Sequence, residues 1–245
     1  MPSLFCLLAA LALSACSANE PADAPPLQVL FVGNSLTYTN NLPAVVEALG
    51  RQPGAQVIRS GMVAYPNFSL ADHLTQGDAV TEIQSGRWSV VVLQQGPSGL
   101  PESRTELVAS TRQYLTLTRP VHARIALLGV WPANDRLTAF DSVTASYSAA
   151  AQAVDGVLLP AGRGWTAAWQ TQPSLALYGP DGFHPGPLGT LLAALVVYRG
   201  ITGRPLATLP PTMTIGGVPV RIPPDLAATL LQAAERAFQG CAGGC

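Results

Sequence analysis

The chain of 245 residues is 48% hydrophobic and only 11% charged, which excludes intrinsic disorder and allows one large folded domain. Its formal net charge is −1, and its 13 basic residues are all arginines that stand apart from one another, so a nucleic acid is not expected as a partner. None of the four cysteines has the spacing of a zinc site, so no metal is expected either.

The N-terminus has the pattern of an export signal. Residues 3–15 form an apolar run that is shorter than the roughly 20 residues of a membrane-spanning helix, so we predict a signal peptide over 1–15. The sequence Leu13-Ser14-Ala15-Cys16 resembles the bacterial lipoprotein box, which implies lipidation of Cys16 and a periplasmic, outer-membrane location. The lipid is then the only membrane contact. The alternative is an ordinary signal peptide that happens to contain a cysteine.

The remaining chain divides into a tether, one domain and a tail. Residues 16–26 are polar and rich in proline and are predicted to be a disordered tether, while 27–240 are predicted to form a single domain. In the tail, 241–245, Cys241 and Cys245 form a disulfide in an oxidising periplasm or remain free thiols.

Short apolar runs alternate with helical patterns through the domain, which predicts parallel strands joined by right-handed helical crossovers. We therefore expect a flavodoxin-like three-layer α/β/α fold with a five-stranded parallel sheet. The segment 203–222 is rich in proline and glycine and predicts a loop or a small hairpin. The predicted strands are 27–32, 55–60, 89–94, 124–130 and 155–159, and the predicted helices are 42–51, 68–86, 103–118, 137–153, 187–201 and 224–238.

A serine follows the first predicted strand. Gly33 permits a tight turn there, and Ser35 would lie at the carboxyl edge of the sheet, where ligands of such folds bind. Backbone amides at the start of a helix would stabilise negative charge on it. The alternative is a serine that only caps the following helix.

An acid and a base follow much later in the chain. Asp181 and His184 are three residues apart in a turn, so their side chains can meet. An imidazole can accept the proton of a serine hydroxyl, and a carboxylate fixes the tautomer of that imidazole.

These segments resemble the conserved blocks of the SGNH (GDSL-like) hydrolases. Gly33-Asn34-Ser35-Leu36 is similar to their first block, with Asn where many members carry Asp, and Asp181-Gly182-Phe183-His184-Pro185 matches their last block in type and order. The resemblance implies hydrolysis of a carboxylic ester, on an acylated carbohydrate or a lipid. It makes Ser35 the nucleophile, His184 the base and then the acid, and Asp181 the orienting carboxylate. This chemistry needs no cofactor.

The family's oxyanion hole also uses a glycine after the second strand and an asparagine after the third. Gly61 fits the glycine by this resemblance. The third block departs from the family pattern, since Gln94 and Gln95 stand near the position of the asparagine. A glutamine amide can donate the same hydrogen bond, so we expect Gln94 or Gln95 to be the third donor, with Ser98 as the weaker candidate.

Two other classes remain as alternatives. In an α/β-hydrolase the nucleophile lies in a G-x-S-x-G elbow, but Thr37 occupies the last position here. A non-catalytic surface lipoprotein of the same fold would bind a glycan or peptide without turnover. We expect His73 to be a surface or packing residue, and Trp131 to pack or to line the substrate pocket.

Overall fold

A computed structural model describes residues 24–239 of the chain. Four predicted features lie outside the described residues, namely the signal peptide, the lipidation of Cys16, most of the tether and the disulfide between the two terminal cysteines. Among the described residues, the first element is a strand at Leu27–Gly33 and the last is a helix at Pro224–Arg236.

Five parallel strands form one sheet in the order β2-β1-β3-β4-β5. The central strands are almost continuously apolar, because helices cover both faces of the sheet. This confirms the predicted flavodoxin-like architecture. The strands are β1 (Leu27–Gly33), β2 (Ile58–Ala64), β3 (Val90–Leu93), β4 (Arg124–Leu128) and β5 (Val157–Leu159).

Helices flank this sheet, and the element nearest the predicted nucleophile is a single helical turn. The set comprises α1 (Ser35–Tyr38), α2 (Leu42–Leu49), α3 (Leu70–Gln76), α4 (Asp78–Gln84), α5 (Pro101–Thr118), α6 (Phe140–Gln152), α7 (Ala161–Thr171), α8 (Pro187–Thr202) and α9 (Pro224–Arg236). No helix among residues 24–239 is long and apolar enough to cross a membrane.

Several element boundaries differ from the prediction. The predicted helix 68–86 is two helices, because Gly77 adopts a left-handed conformation with φ of 98° between them. The segment 203–222 contains an antiparallel hairpin, β6 (Thr212–Ile215) and β7 (Val218–Arg221), around the turn at Gly216 and Gly217. Of the two alternatives for that segment, the hairpin is confirmed.

The second strand extends further than predicted, and this moves Gly61 away from the strand end. Gly61 lies inside β2, paired with Leu30 of β1, and the strand continues to Ala64. A Cβ at Gly61 would lie 2.3 Å from the ring of Trp88, so the glycine leaves room for that ring beside the edge strand. The expectation that Gly61 follows the second strand is therefore wrong.

Candidate active site

The turn from β1 into α1 presents Ser35 at the carboxyl edge of the sheet. Asn34, not Ser35, caps α1, since its Oδ1 accepts a hydrogen bond from the backbone N–H of Leu36 at 3.1 Å. The backbone N–H groups of Thr37 and Tyr38 bond to the carbonyl of Asn34. Within residues 24–239, the N–H of Ser35 has no partner, and neither has its hydroxyl. The capping alternative for Ser35 is therefore excluded.

Gln94 holds this turn in place. Its Oε1 accepts hydrogen bonds from the N–H of Asn34 at 2.9 Å and from the hydroxyl of Thr37 at 2.7 Å. Its Nε2 donates to Asn34 Oδ1 and to the carbonyl of Gln95. A Cβ at Gly33 would lie 2.4 Å from Gln94 Oε1, so only glycine allows this approach. Both N–H groups of the Gln94 amide are used, and none is left for a substrate.

Gln95 has a different set of partners. Its Oε1 accepts from the N–H of Leu70 at 3.1 Å, and its Nε2 donates to the hydroxyl of Ser98 at 2.9 Å. An amide nitrogen carries two hydrogens, so one N–H of Gln95 remains available. The residue is buried, but it lines the same cavity as Ser35. Of the two glutamines, only Gln95 lines that cavity and has a side-chain N–H without a partner among residues 24–239.

His184 and Asp181 form a hydrogen-bonded pair. His184 Nδ1 lies 2.5 Å from Asp181 Oδ2, while Asp181 Oδ1 accepts from the backbone N–H groups of Phe183 at 3.0 Å and His184 at 2.9 Å. These bonds, the imidazole first, lower the pKa of Asp181 from its ordinary value to about 2. The carboxylate therefore stays ionised and favours the tautomer with hydrogen on Nδ1, which leaves Nε2 as the basic atom.

The loop that carries this pair is fixed by its neighbours. Gly182 has φ of 70°, and its carbonyl accepts from the N–H of Asn134 at 2.8 Å. A Cβ at Gly182 would lie 2.4 Å from the Asn134 side chain. The indole of Trp131 donates to the carbonyl of Phe183 at 3.0 Å and stacks on Trp165 with 3.8 Å between ring centroids. Trp131 is therefore a packing residue that also holds the loop.

Two features bring the serine turn (residues 33–40) and the histidine loop (residues 181–185) together. Asn40, five residues after Ser35, donates from Nδ2 to the carbonyl of Pro185 at 2.8 Å and to the hydroxyl of Thr190 at 3.0 Å. Phe183, the neighbour of His184, lines the same cavity of about 330 Å³ as Ser35. The segments that contain the predicted nucleophile and base thus lie at one edge of the sheet, but within residues 24–239 no hydrogen bond joins Ser35 to His184, which lines a different cavity.

Sequence reasoning missed two residues of this region. Asn67 lies after β2 in a left-handed conformation with φ of 62° and lines the cavity of Ser35, where Gly61 does not. Its side chain has no hydrogen-bond partner among residues 24–239. The asparagine in a Pro-Asn turn after an apolar strand was the available signal. Asn40, the other residue, carries no signal that separates it from an ordinary turn asparagine.

His73 is buried beneath the serine turn. Its Nε2 lies 2.7 Å from the carbonyl oxygen of Gly33, and its Nδ1 has no partner within the described part of the chain. Its ring contacts the rings of Tyr65 and Phe68. Burial lowers the pKa of His73 below its ordinary value. Between the two alternatives for His73, the structure shows packing rather than surface exposure.

Residues 24–239 contain no group of three or more His, Cys, Asp or Glu side chains that could hold a metal ion. The side chains described at this site are a serine, an imidazole–carboxylate pair and nearby amides.

Comparison with known proteins identifies the fold. No protein-family profile and no curated protein matches the chain. A solved DUF4886 family protein from Bacteroides uniformis is 17% identical, with a TM-score of 0.73 over 90% of this chain and 97% of that one. A candidate SGNH hydrolase from Slackia heliotrinireducens is 24% identical, with a TM-score of 0.59 over 72% of this chain and 99% of that one.

A variant of an acetyl-xylooligosaccharide esterase from a Geobacillus species is 16% identical, with a TM-score of 0.57 over 74% of this chain and 96% of that one. The chain therefore has the fold of the SGNH hydrolases, with divergent sequence.

Proposed function

We propose that the protein is a serine esterase that hydrolyses a carboxylic ester through Ser35, His184 and Asp181. The observation that carries the proposal is the hydrogen-bonded pair of His184 and Asp181, on a loop whose Phe183 lines the cavity of Ser35. Such a pair supplies what a serine nucleophile requires, an imidazole whose tautomer is fixed by a carboxylate.

In the first half-reaction, Ser35 Oγ attacks the ester carbonyl carbon while its proton passes to His184 Nε2. The new C–O bond converts the carbonyl into a tetrahedral oxyanion. The oxyanion then re-forms the carbonyl and breaks the bond to the alcohol oxygen, which takes the proton from His184 Nε2. The alcohol leaves, and the acyl group remains on Ser35. Asp181 stabilises the imidazolium that forms between these two proton transfers.

In the second half-reaction, water attacks the acyl carbon and gives its proton to His184 Nε2. The second tetrahedral intermediate breaks the bond to Ser35 Oγ, which recovers its hydrogen from His184. The carboxylic acid leaves, and the enzyme returns to its starting state.

Three donors fit the oxyanion. The N–H of Ser35 has no partner within residues 24–239, and Gln95 retains one N–H of its side-chain amide. Asn67 lines the same cavity, and we propose its amide, in place of Gly61, as the donor that follows the second strand. Removing one such donor typically costs about 10²–10³-fold in turnover.

The structural neighbours support the reaction class, since their printed names include an SGNH hydrolase, a lipase/acylhydrolase and an acetyl-xylooligosaccharide esterase. The substrate is accordingly a small-molecule, lipid or glycan ester.

The test is hydrolysis of p-nitrophenyl acetate by the purified protein. We expect turnover that Ser35→Ala and His184→Ala abolish, while the matched control Ser85→Ala, at an exposed serine remote from the site, retains it. Unchanged activity in Ser35→Ala would contradict the assignment of the nucleophile. Binding of a glycan without any turnover would instead support the lipoprotein alternative.

A further inference from the structure

A larger cavity adjoins the cavity of Ser35. It has a volume of about 510 Å³, within the range of sites that enclose small ligands. The two cavities share four lining residues, namely Pro97, Ser98, Ser103 and Phe183. A group attached to the carbonyl carbon above Ser35 can therefore extend into this second cavity.

The walls of the second cavity are mostly apolar, with Leu100, Ala133 and Val143 among them. The serine hydroxyls in its walls donate hydrogen bonds to backbone carbonyl oxygens. Ser103 Oγ donates to the carbonyl of Leu100 at 3.0 Å, and Ser142 Oγ donates to the carbonyl of Ala139 at 3.0 Å. The charged lining residues, Asp135 and Arg136, are exposed to solvent. The enclosed part of the cavity thus favours a hydrocarbon group.

The position of His184 distinguishes the acyl side of the site from the alcohol side. His184 lines another cavity, of about 680 Å³, together with Asp181, Asn40 and backbone around Gly179. The leaving alcohol takes its proton from His184, so the alcohol must lie toward this cavity. The acyl chain then extends in the other direction, past Ser98 and Phe183.

We propose that the apolar cavity is an acyl pocket and that the protein prefers esters of medium-length fatty acids, of about six to ten carbons, over acetyl esters. This inference rests on the proposed function and names the substrate class of the same site. Each methylene that the cavity takes from water adds up to about fourfold in kcat/KM.

Leu100 offers a substitution that changes the pocket without threatening the fold. It lines the cavity yet is 61% exposed, and it is the N-cap residue of α5. Aspartate is a preferred N-cap residue, so Leu100→Asp keeps the helix start while adding a charge to the pocket wall. Leu137 is 52% exposed and does not line the cavity, which makes Leu137→Asp the matched control.

The experiment compares p-nitrophenyl esters from acetate to dodecanoate in the wild type and both variants. We expect kcat/KM of the wild type to rise at least 30-fold from acetate to octanoate, since six methylenes are added. Leu100→Asp should lower the octanoate value at least tenfold and leave acetate within twofold, while Leu137→Asp should change neither. Acetate as the best substrate, or equal effects of the two variants, would overturn the acyl pocket.

A second series keeps the acetyl group and lengthens the alcohol. If Leu100→Asp suppresses long alcohols rather than long acyl chains, the orientation is reversed and the proposal fails. Ser35-dependent acetate hydrolysis without chain-length preference contradicts only the acyl pocket. Absence of Ser35-dependent turnover across every ester contradicts the proposed function itself.

Discussion

Gln94 and Gln95 are adjacent in the chain, but their side-chain amides bond to different parts of the molecule. Gln94 bonds to Asn34 and Thr37 in the serine turn. Gln95 bonds to Leu70 and Ser98 and has one side-chain N–H without a partner among residues 24–239. In Gln95→Glu, a carboxylate oxygen can still accept the hydrogen bond from the N–H of Leu70. The N–H groups of the amide are lost, and a negative charge takes their place beside the cavity. We expect a loss of kcat of about 10²-fold or more with folding retained.

Gln94→Glu should act on stability instead, because its new carboxylate oxygen would face Asn34 Oδ1 and the carbonyl of Gln95. We expect the free energy of unfolding to fall by roughly 1–3 kcal/mol, measured by urea denaturation. If Gln94→Glu and Gln95→Glu lost the same small amount of activity and the same small amount of stability, the assignment of a structural role to Gln94 and a catalytic role to Gln95 would be refuted.

Asp181 gives a prediction about pH. Its pKa is lowered to about 2, so it remains ionised across the range in which an esterase is assayed, and its titration contributes nothing to the pH profile there. A carboxylate with a lowered pKa stabilises the fold above its unfolded pKa and loses that contribution only as the pH falls toward 2. Asp181→Asn should lower kcat by about 10²–10⁴-fold at every pH between 5 and 9. Recovery of wild-type activity at one end of that range would contradict the assigned role.

For single residues, the sequence predicts a role where the chemistry requires a particular type of side chain. Ser35, Asp181 and His184 could be singled out because a nucleophile, a base and an orienting acid have distinct side chains. The separate roles of Gln94 and Gln95 could not be predicted, since they depend on which way each side chain leaves the end of β3. The sequence does not single out Asn67, because the predicted second strand ends at residue 60 whereas the observed strand continues to Ala64.

Among the elements, the serine turn and the start of α8 are joined by Asn40. Its backbone has φ of 57°, and the hairpin turn at Gly216 packs against its side chain. Asn40→Asp tolerates the same backbone conformation but removes the N–H donors to Pro185 and Thr190. We expect kcat to fall about 10–100-fold with little change in KM, because Ser35 would no longer be held in a fixed position relative to His184.

Asn41→Asp is the control for that prediction. Asn41 also has a positive φ, of 54°, but its side chain accepts a hydrogen bond as the cap of α2, which aspartate can do equally well. Equal kinetics of the Asn40 and Asn41 variants would show that the link to Pro185 does not position the site.

Helix α3 contacts the serine turn through His73, whose Nε2 lies 2.7 Å from the carbonyl oxygen of Gly33. This contact gives a prediction about stability. Burial lowers the pKa of His73, although the hydrogen bond to the Gly33 carbonyl and then the charges of Asp72 and Asp78 partly oppose the shift. Below the ordinary histidine pKa of about 6.5 the unfolded chain binds a proton that the folded state does not, so stability falls as the pH decreases. The maximal slope is roughly 1.4 kcal/mol per pH unit for one proton.

His73→Gln keeps an N–H that can donate to Gly33 and removes the titration. We expect the free energy of unfolding of this variant to depend less on pH between 7 and 5 than that of the wild type, as measured by denaturant titration. Parallel pH profiles for the two proteins would show that His73 is not the group responsible.

Most elements were predictable from the sequence. Strands buried on both faces are continuous apolar runs, and proline and glycine mark the ends of several helices between them. The boundaries that were wrong depend on contacts distant in sequence. Gly61 reads as a strand end, yet the Trp88 ring occupies the space beside it and the strand continues. The single turn α1 is too short to leave a periodic pattern.

For the molecule as a whole, we propose that the domain is exported and anchored to the membrane by a lipid on Cys16. Expression of the full chain in a bacterial host should place it in the detergent phase of a Triton X-114 partition, and Cys16→Ser should move it to the aqueous phase. Retention of the variant in the detergent phase would contradict the lipid anchor.

The alternation of strands and helices predicts the overall architecture. Each helix returns the chain to the same end of the sheet, which makes neighbouring strands parallel, and the right-handedness of these crossovers decides which face each helix covers. The cavities did not follow from the sequence, because their volumes are set by how the loops after β3 and β4 pack against Phe183. The size of substrate that the site can hold can therefore be inferred only from the folded structure.

The central claim is that His184 activates Ser35, and covalent labelling by a fluorophosphonate tests it most directly. Intact mass spectrometry with peptide mapping should show one label per chain, on Ser35, absent from Ser35→Ala and formed at least 100-fold more slowly in His184→Ala. Labelling at another residue, or at an unchanged rate in His184→Ala, would contradict the account.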